Sequence, residues 1–319
     1  MPPPLYLQNK IALIWDFDKT LTHSYMQDPL FDHFGVEATD FWREVNELQA
    51  YYRQADLAGG PCEVSADTIY LNHILTCVQQ GRFPGLTNGL LKTLGGEIEL
   101  APGIPEFFER SRAIVNDNER FAKHDISVEH YIVSTGLKAM IEGSGVASHV
   151  DGIWACELLP EPPPLGPGGV LPGTGSPVVA QLGYTIDNTS KTRAIFEINK
   201  GSNVGSVQVN DSVPPGARRV PMRNMVYVAD GPSDIPSFSV INANGGSTLG
   251  VYAPGVRNYD NAASLEEQGR VNSIALADYS EGSSADMWLS RRISKIAAEI
   301  SESRERAMAG FSGAPGHVT

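Results

Sequence analysis

The sequence predicts an α/β protein: a doubly wound, Rossmann-like and mostly parallel sheet core carrying an inserted helical cap. Two observations carry this reading. Short apolar runs recur between helical patterns, at 11–15, 130–134, 225–229, 247–253 and 271–277, with strand length and β-branched content. Each run is near-continuously apolar rather than alternating, as expected of strands covered on both faces.

In chain order, "IALIW" (11–15) opens the core as its first strand. Residues 23 to 100 then break the strand–helix rhythm. "TDFWREVNELQAYYRQAD" (39–56) and "SADTIYLNHILTCVQQG" (65–81) read as amphipathic helices, each opened by an N-cap residue, with no strand between them. The expected organisation is a core of 1–22 and 101–319 and a helical cap of 23–100. "PGIPEFFERSRAIV" (102–115) and "SKTRAIFEINK" (190–200) are helices of the core, and 286–310 is a terminal helix with a frayed end. The stretch 160–177, dense in Pro and Gly, is read as a surface loop.

The chain has 319 residues, 41% of them hydrophobic, ample for a core, and a formal net charge of -13. That charge argues against a nucleic-acid or anionic-membrane partner, whose phosphates it would repel. Small phosphorylated substrates stay possible, because a bound cation inverts the local field. Cys62, Cys77 and Cys156 form no short-range pair, so a reducing compartment is expected. The start "MPPPLYLQNK" lacks the pattern of a secretory signal, and no run approaches the length of a membrane helix. The expected location is cytoplasmic.

The chemistry-bearing residues sit at element ends. "DFDKTLTHS" follows the first strand with Asp16, Asp18 and Thr20, then His23. The second strand runs into "STG", Ser134, Thr135 and Gly136, where a hydroxyl and backbone N–H groups at a helix start could hold an anion. Lys191 stands in the first turn of a helix, where it opposes the dipole and so lacks a local structural reason. "VADGPSD" ends a strand with Asp230 and adds Asp234 across a Gly-Pro turn.

These four signatures, in this order, resemble the haloacid dehalogenase superfamily of aspartyl-nucleophile phosphotransferases. The resemblance covers the core, about two thirds of the chain. It is specific at "DFDKTLT" and "DGPSD"; the Ser134 and Lys191 motifs are specific only in combination. The resemblance implies a phosphatase in which Asp16 is the nucleophile and forms an aspartyl-phosphate. Asp18 would protonate the leaving oxygen and then activate water. Thr20 would orient the loop, Ser134 with Thr135 and Gly136 would bind the phosphoryl group, and Lys191 would offset its charge. The implied cofactor is Mg²⁺, bound by Asp16, the main-chain carbonyl of Asp18, and Asp230, with Asp234 either a ligand through water or an anchor behind the ligands.

An Asp at position 18 favours phosphate-ester hydrolysis over the dehalogenase and phosphonate-cleaving branches, which have other residues there. The related "DKTGT" signature of ATP-driven pumps is excluded by the lack of membrane spans. In layout the phosphoserine phosphatase branch is the nearest, although the acidic and Arg pattern expected in its cap is not evident. The expected substrate is a small phosphorylated metabolite. The alternatives are a phosphomutase or phosphotransferase of the same family, or a catalytically idle binding protein on the same fold. In the cap, Tyr25, His33, Trp42, Tyr51, Tyr52 and Arg53 are candidate substrate contacts, though packing of the cap itself is the expected role for most of its aromatics. His23 is the better candidate for a residue near the site.

Overall fold

The computed structural model describes residues 6–54, 59–163, 166 and 175–311. Seven strands form one sheet: β1 (Lys10–Trp15), β2 (Ser127–Leu137), β3 (Gly152–Pro160), β4 (Val179–Tyr184), β5 (Met225–Ala229), β6 (Ser247–Tyr252) and β7 (Ser273–Leu276). Their spatial order is β4-β3-β2-β1-β5-β6-β7. Every neighbouring pair is parallel except β3 and β4. β1 is central, between β2 and β5, where the strand order reverses. In such sheets the crevice at the strands' C-terminal ends receives ligands.

The helices are α1 (Asp28–Phe34), α2 (Ala38–Tyr52), α3 (Ile69–Gln79), α4 (Asn88–Gly95), α5 (Glu106–Asn116), α6 (Glu119–Ala122), α7 (Lys138–Gly143), α8 (Lys191–Lys200), α9 (Ile235–Ala243), α10 (Val256–Glu267) and α11 (Ser284–Phe311). Alternate residues of β1 feed two different cores, as the period of a strand requires. Ile11, Leu13 and Trp15 pack with Phe107 and Phe108 of α5 and Leu289 and Ile293 of α11. Ala12 and Ile14 pack with Ile195 and Ile198 of α8 and Phe238 of α9. A strand buried on both sides needs apolar residues at every position, which is why the run reads as continuous.

Two strands escape the sequence reading, β3 and β4, which flank the Pro/Gly-rich stretch. Residues 164, 165 and 167–174 of that stretch lie outside the described residues, as do 312–319 of the end expected to fray from 311; Phe311 itself is the last residue of α11. β4 is an edge strand, mostly exposed along its length. Its mixed sequence "VAQLGY" therefore lacks the continuous apolar signal. β2 is also longer than the run 130–134, because Ser127 pairs with Lys10 at one end and Leu137 with Cys156 at the other.

Between β1 and α5 the described residues hold helices and no strand. The two ends of this segment are clipped together. Thr22 and Leu100 form an isolated antiparallel bridge, the His23 N–H donates to Glu99 O at 3.3 Å, and the Ala101 N–H donates to Leu21 O at 2.9 Å. Among the described residues the segment has no separate core. Phe31, Phe41 and Ile74 belong to the same cluster as Trp15 and Phe107. Its last helix, α4, crosses α7 at backbone contact: a Cβ on Gly95 would land on the Met140 carbonyl, and one on Gly143 on the Lys92 carbonyl.

Behind the C-terminal end of β1 lies a buried polar chain. The Trp15 indole N–H donates to His130 Nδ1 at 3.1 Å, so that nitrogen carries no proton. The proton sits on Nε2, 2.8 Å from Ser111 Oγ, whose hydroxyl donates to Phe108 O at 2.7 Å. Phe107, Phe108 and Tyr279 meet the Trp15 ring edge-on, with centroids 5.9, 5.8 and 5.5 Å away. Burial, with Arg112 nearby, pushes the His130 pKa well below the ordinary histidine value.

Two outcomes follow for stability. Gly95→Ala should lower the urea midpoint by an amount corresponding to about 1–3 kcal/mol, the usual cost of overpacking a rigid contact. Gly89→Ala, where the nearest atom to a new Cβ is Thr87 Oγ1 at 3.6 Å, should leave the midpoint unchanged or raise it. Equal loss in both would refute the close crossing. His130 acts through its depressed folded pKa. The unfolded chain takes up its proton first, so this contribution is complete above about pH 6.5 and is lost as pH falls below it. The buried carboxylates described below act in the opposite sense, so the difference between wild type and His130→Gln isolates the effect. Urea midpoints from pH 7.5 down to 5 should fall more steeply in wild type than in the variant.

Candidate active site

Each motif residue reaches the same end of the sheet because its element ends there. Asp16 directly follows β1, and its N–H extends the ladder by donating to Val228 O at 2.9 Å. Asp230 directly follows β5. Lys191 is the first residue of α8, and Asp234 caps α9. Although these positions are far apart in the chain, one carboxylate oxygen each of Asp16, Asp230 and Asp234 lie within 4.8 Å of one another.

Lys191 binds the group together. It is only 1% exposed, and its ammonium donates to Asp16 Oδ1 at 2.7 Å and Asp234 Oδ1 at 2.8 Å. Burial works against the charge on Lys191, but Asp16 and Asp234 override it and hold its pKa well above the ordinary lysine value. The carboxylates outnumber the ammonium. Burial, reinforced by Asp234 and Asp230, raises the Asp16 pKa well above the carboxylate range despite Lys191. Burial pushes Asp18 up to about 7, opposed by the Met26 N–H. Burial and the charge of Asp234 push Asp230 up to about 6.

Asp234 is fully enclosed and its oxygens are taken by the protein. Besides Lys191, Oδ1 accepts from the Tyr227 hydroxyl at 2.6 Å, and Oδ2 accepts from Ser233 Oγ at 2.8 Å. Of the two roles expected for it, this geometry suits an anchor for Lys191. Asp18 has one oxygen committed, Oδ1 accepting the Met26 N–H at 2.8 Å, which leaves Oδ2 for a proton. Thr20 is fully buried. Its carbonyl accepts from the Tyr279 hydroxyl at 2.9 Å, and its own Oγ1 has no partner among the described residues.

The expected anion cradle after β2 takes a different form. The Gly136 N–H donates to Ser134 Oγ at 2.9 Å, and the Leu137 N–H points at Met26 Sδ, 3.1 Å away. A Cβ on Gly136 would strike the Met26 methyl group. Met26 thus packs against Gly136, and these two N–H groups are spent inside the protein. Ser134 is buried with its hydroxyl proton still available, and the Thr135 carbonyl accepts from the Tyr70 hydroxyl at 2.7 Å.

A cavity of about 640 Å³ opens over Asp16, Asp18 and Asp230 and is walled by Thr135, His23 and Tyr25 among others. Lys19 and Asn258 also line it, although neither drew notice in the sequence. Lys19 had a signal, its position beside Asp18. Asn258, on α10, had none. The cap aromatics pack mostly on one another: Trp42 meets Phe31, Phe41 and Tyr70, His33 meets Phe34, and Tyr51 meets Tyr52. Tyr25 is exposed to the cavity and leans on Trp42, ring centroids 5.5 Å apart. Arg53 is exposed just beyond α2.

No family model matches the sequence. An uncharacterized protein of Borreliella burgdorferi is 37% identical over 292 residues, which span 90% of this chain and 97% of that protein. Among solved structures, a probable phosphoserine phosphatase from Vibrio cholerae superposes with a TM-score of 0.49 at 12% identity, covering 92% of this chain and 68% of that one. A HAD family hydrolase from Salmonella enterica serovar Typhi gives 0.48 at 13% identity over 82% and 68%. A phosphoserine phosphatase in its apo form gives 0.46 at 14% identity over 83% and 92%. No described helix is long and apolar enough to cross a membrane.

Removing the cation should expose how much the site depends on it. Lys191→Met leaves Asp16 and Asp234 buried without their partner, and should cost about 3–5 kcal/mol of stability. Adding Asp234→Asn to that variant should recover part of the loss. Urea denaturation in EDTA would measure both, and an unchanged midpoint in the single variant would contradict a paired, charged Lys191.

Proposed function

We propose that this chain, one family with the Borreliella protein and a member of the haloacid dehalogenase superfamily by its four motifs and sheet order, is a Mg²⁺-dependent phosphatase. Its substrate would be a small phosphorylated metabolite, hydrolysed through an aspartyl-phosphate. The observation that carries the reading is Lys191, which pairs at 2.7 Å with the carboxylate that directly ends the central strand.

Phosphoryl transfer needs an in-line nucleophile, a proton donor and compensation of the phosphoryl charge. Asp16 supplies the nucleophilic oxygen: it attacks phosphorus, the bond to the ester oxygen breaks, and the acyl-phosphate remains on the protein. The departing alkoxide takes its proton from Asp18. A pKa of about 7 suits this carboxyl for donating a proton and then for taking one from the water that hydrolyses the acyl-phosphate. Lys191 stabilises the Asp16 carboxylate and then the charge beside it, while Asp234, Tyr227 and Ser233 hold the ammonium in place. Ser134, near the end of β2, has a hydroxyl proton to offer a phosphoryl oxygen, and Thr20 Oγ1, in the loop after β1, has no partner among the described residues.

The donor set fits a hard divalent cation, since it offers clustered carboxylate oxygens whose burial, together with their mutual repulsion, raises their pKa values. Asp16, Asp230 and the main-chain carbonyl of Asp18 would hold it. When bound, Mg²⁺ would neutralise the phosphoryl oxygens and let these carboxylates ionise together. Part of the cap wall, His23 and Tyr25, would meet the alcohol half of the ester.

A panel of phosphate esters assayed for phosphate release with Mg²⁺, with EDTA and with excess Ca²⁺ tests the reading. Turnover should require Mg²⁺ and be inhibited by Ca²⁺, whose longer bonds and higher coordination number would engage both oxygens of Asp16. Asp16→Asn should lose activity by about 10⁴- to 10⁶-fold, and acid quenching of wild type should trap the phosphorylated chain. Absence of turnover of every ester, a generic aryl phosphate included, would favour a binding protein on this fold.

A further inference from the structure

The cavity wall away from the carboxylates is not neutral. Asp16, Asp18 and Asp230 line one side and are committed to the chemistry and its cation. Beyond them, the charged side chain at the wall is Lys19, with the His23 imidazole as a second donor and Asn258, Asn261 and Ser233 as neutral polar neighbours. An ammonium on the substrate would find no uncommitted carboxylate there.

Lys19 is held in place. Its backbone is left-handed, with φ of 56°, a conformation that costs a non-glycine residue on the order of 1 kcal/mol or more. Its N–H donates to Thr22 Oγ1 at 3.0 Å, which fixes the turn. Its ammonium lies over the Tyr25 ring, 3.8 Å from the centroid, and Tyr25 in turn leans on Trp42. Lys19 forms no ion pair among the described residues. Its charge reaches Asp18 and Asp230 without a direct contact, and a half-buried ammonium parked on an aromatic face, with no carboxylate bonded to it among the described residues, can turn to an incoming anion. The cavity, about 640 Å³, has the size of a small-molecule site and leaves room beside a phosphoryl group.

We propose that Lys19 selects phosphate esters whose alcohol half carries a second anionic group, a carboxylate or another phosphate, by a charge-assisted contact at the cavity mouth. This rests on the phosphatase reading of the site. Lys19 is then a specificity residue and the Lys19–Tyr25–Trp42 contact links substrate charge to the cap.

The test uses four esters of similar size: 3-phosphoglycerate, propane-1,3-diol bisphosphate, glycerol 3-phosphate, whose alcohol half is neutral, and O-phosphoethanolamine, whose alcohol half carries an ammonium. In wild type with Mg²⁺ the anionic pair should have the highest kcat/KM, and whichever of the two leads identifies the second anion. In Lys19→Gln the ratio of kcat/KM for the anionic esters to that for glycerol 3-phosphate should fall by about ten- to a hundredfold, the worth of one hydrogen bond to a charged group. Lys19→Glu should move the preference toward O-phosphoethanolamine. A common factor across all four esters would mean that Lys19 serves the phosphoryl group, and would overturn the proposal, as would an unchanged ratio. Isothermal titration of the same esters into Asp16→Asn, with and without Lys19→Gln, reads selectivity without turnover. Equal affinities there overturn the Lys19 assignment, whereas selective binding with no wild-type turnover overturns the phosphatase reading alone.

Discussion

The arrangement turns on one buried ammonium. Lys191, enclosed at the end of the sheet, is stable there only because Asp16 and Asp234 accept its hydrogen bonds at 2.7 and 2.8 Å. Those carboxylates in turn tolerate burial only because Lys191 is charged. The three groups come from β1, α8 and the start of α9, so their mutual need ties together elements that are distant in the chain. Tyr227 and Ser233 complete the shell on Asp234, which makes the ammonium's position a property of β5 as well.

The mount beneath Asp16 is equally constrained. Trp15 is the last residue of β1, held by three aromatic rings and by a hydrogen bond to a neutral His130. That histidine closes its own chain through Ser111 onto the Phe108 carbonyl. The rigid face below and the ion pair above leave the Asp16 carboxylate little freedom. On the proposed reading this is pre-organisation: the nucleophile is already aimed, and no reordering is needed when a phosphoryl group arrives. Burial, with neighbouring carboxylates adding to it, is the complementary feature, since it leaves Asp18 and Asp230 with raised pKa values.

The cap is built as an extension of the core. Its ends are clipped at Thr22 and Leu100, its interior residues join the cluster beneath the sheet, and α4 is locked on α7 by two glycines. What faces the cavity from this side is the short segment after Thr22, with His23 and Tyr25, while most of its aromatics serve packing.

The sequence by itself determined the α/β class, the helical insertion and the residues that meet at the strand ends. The reason is physical: a central strand covered on both faces must be continuously apolar, so polar residues at its end, such as Asp16 and Asp230, stand out against it. Local patterns could not reveal what depends on partners far along the chain. β3 and β4 were missed, and β4 is an edge strand whose exposure removes the apolar signature. Gly136 looked like part of an anion cradle, yet its N–H is taken by Ser134 Oγ, and Met26, 110 positions earlier, packs against it. Asp234 offered two roles in the sequence, and only the tertiary placement of Lys191, Tyr227 and Ser233 around its oxygens favours that of an anchor. The neutral state of His130 and the seating of the Lys19 ammonium on Tyr25, with no ion pair among the described residues, were likewise decided by burial and by the groups that three-dimensional packing brings within reach.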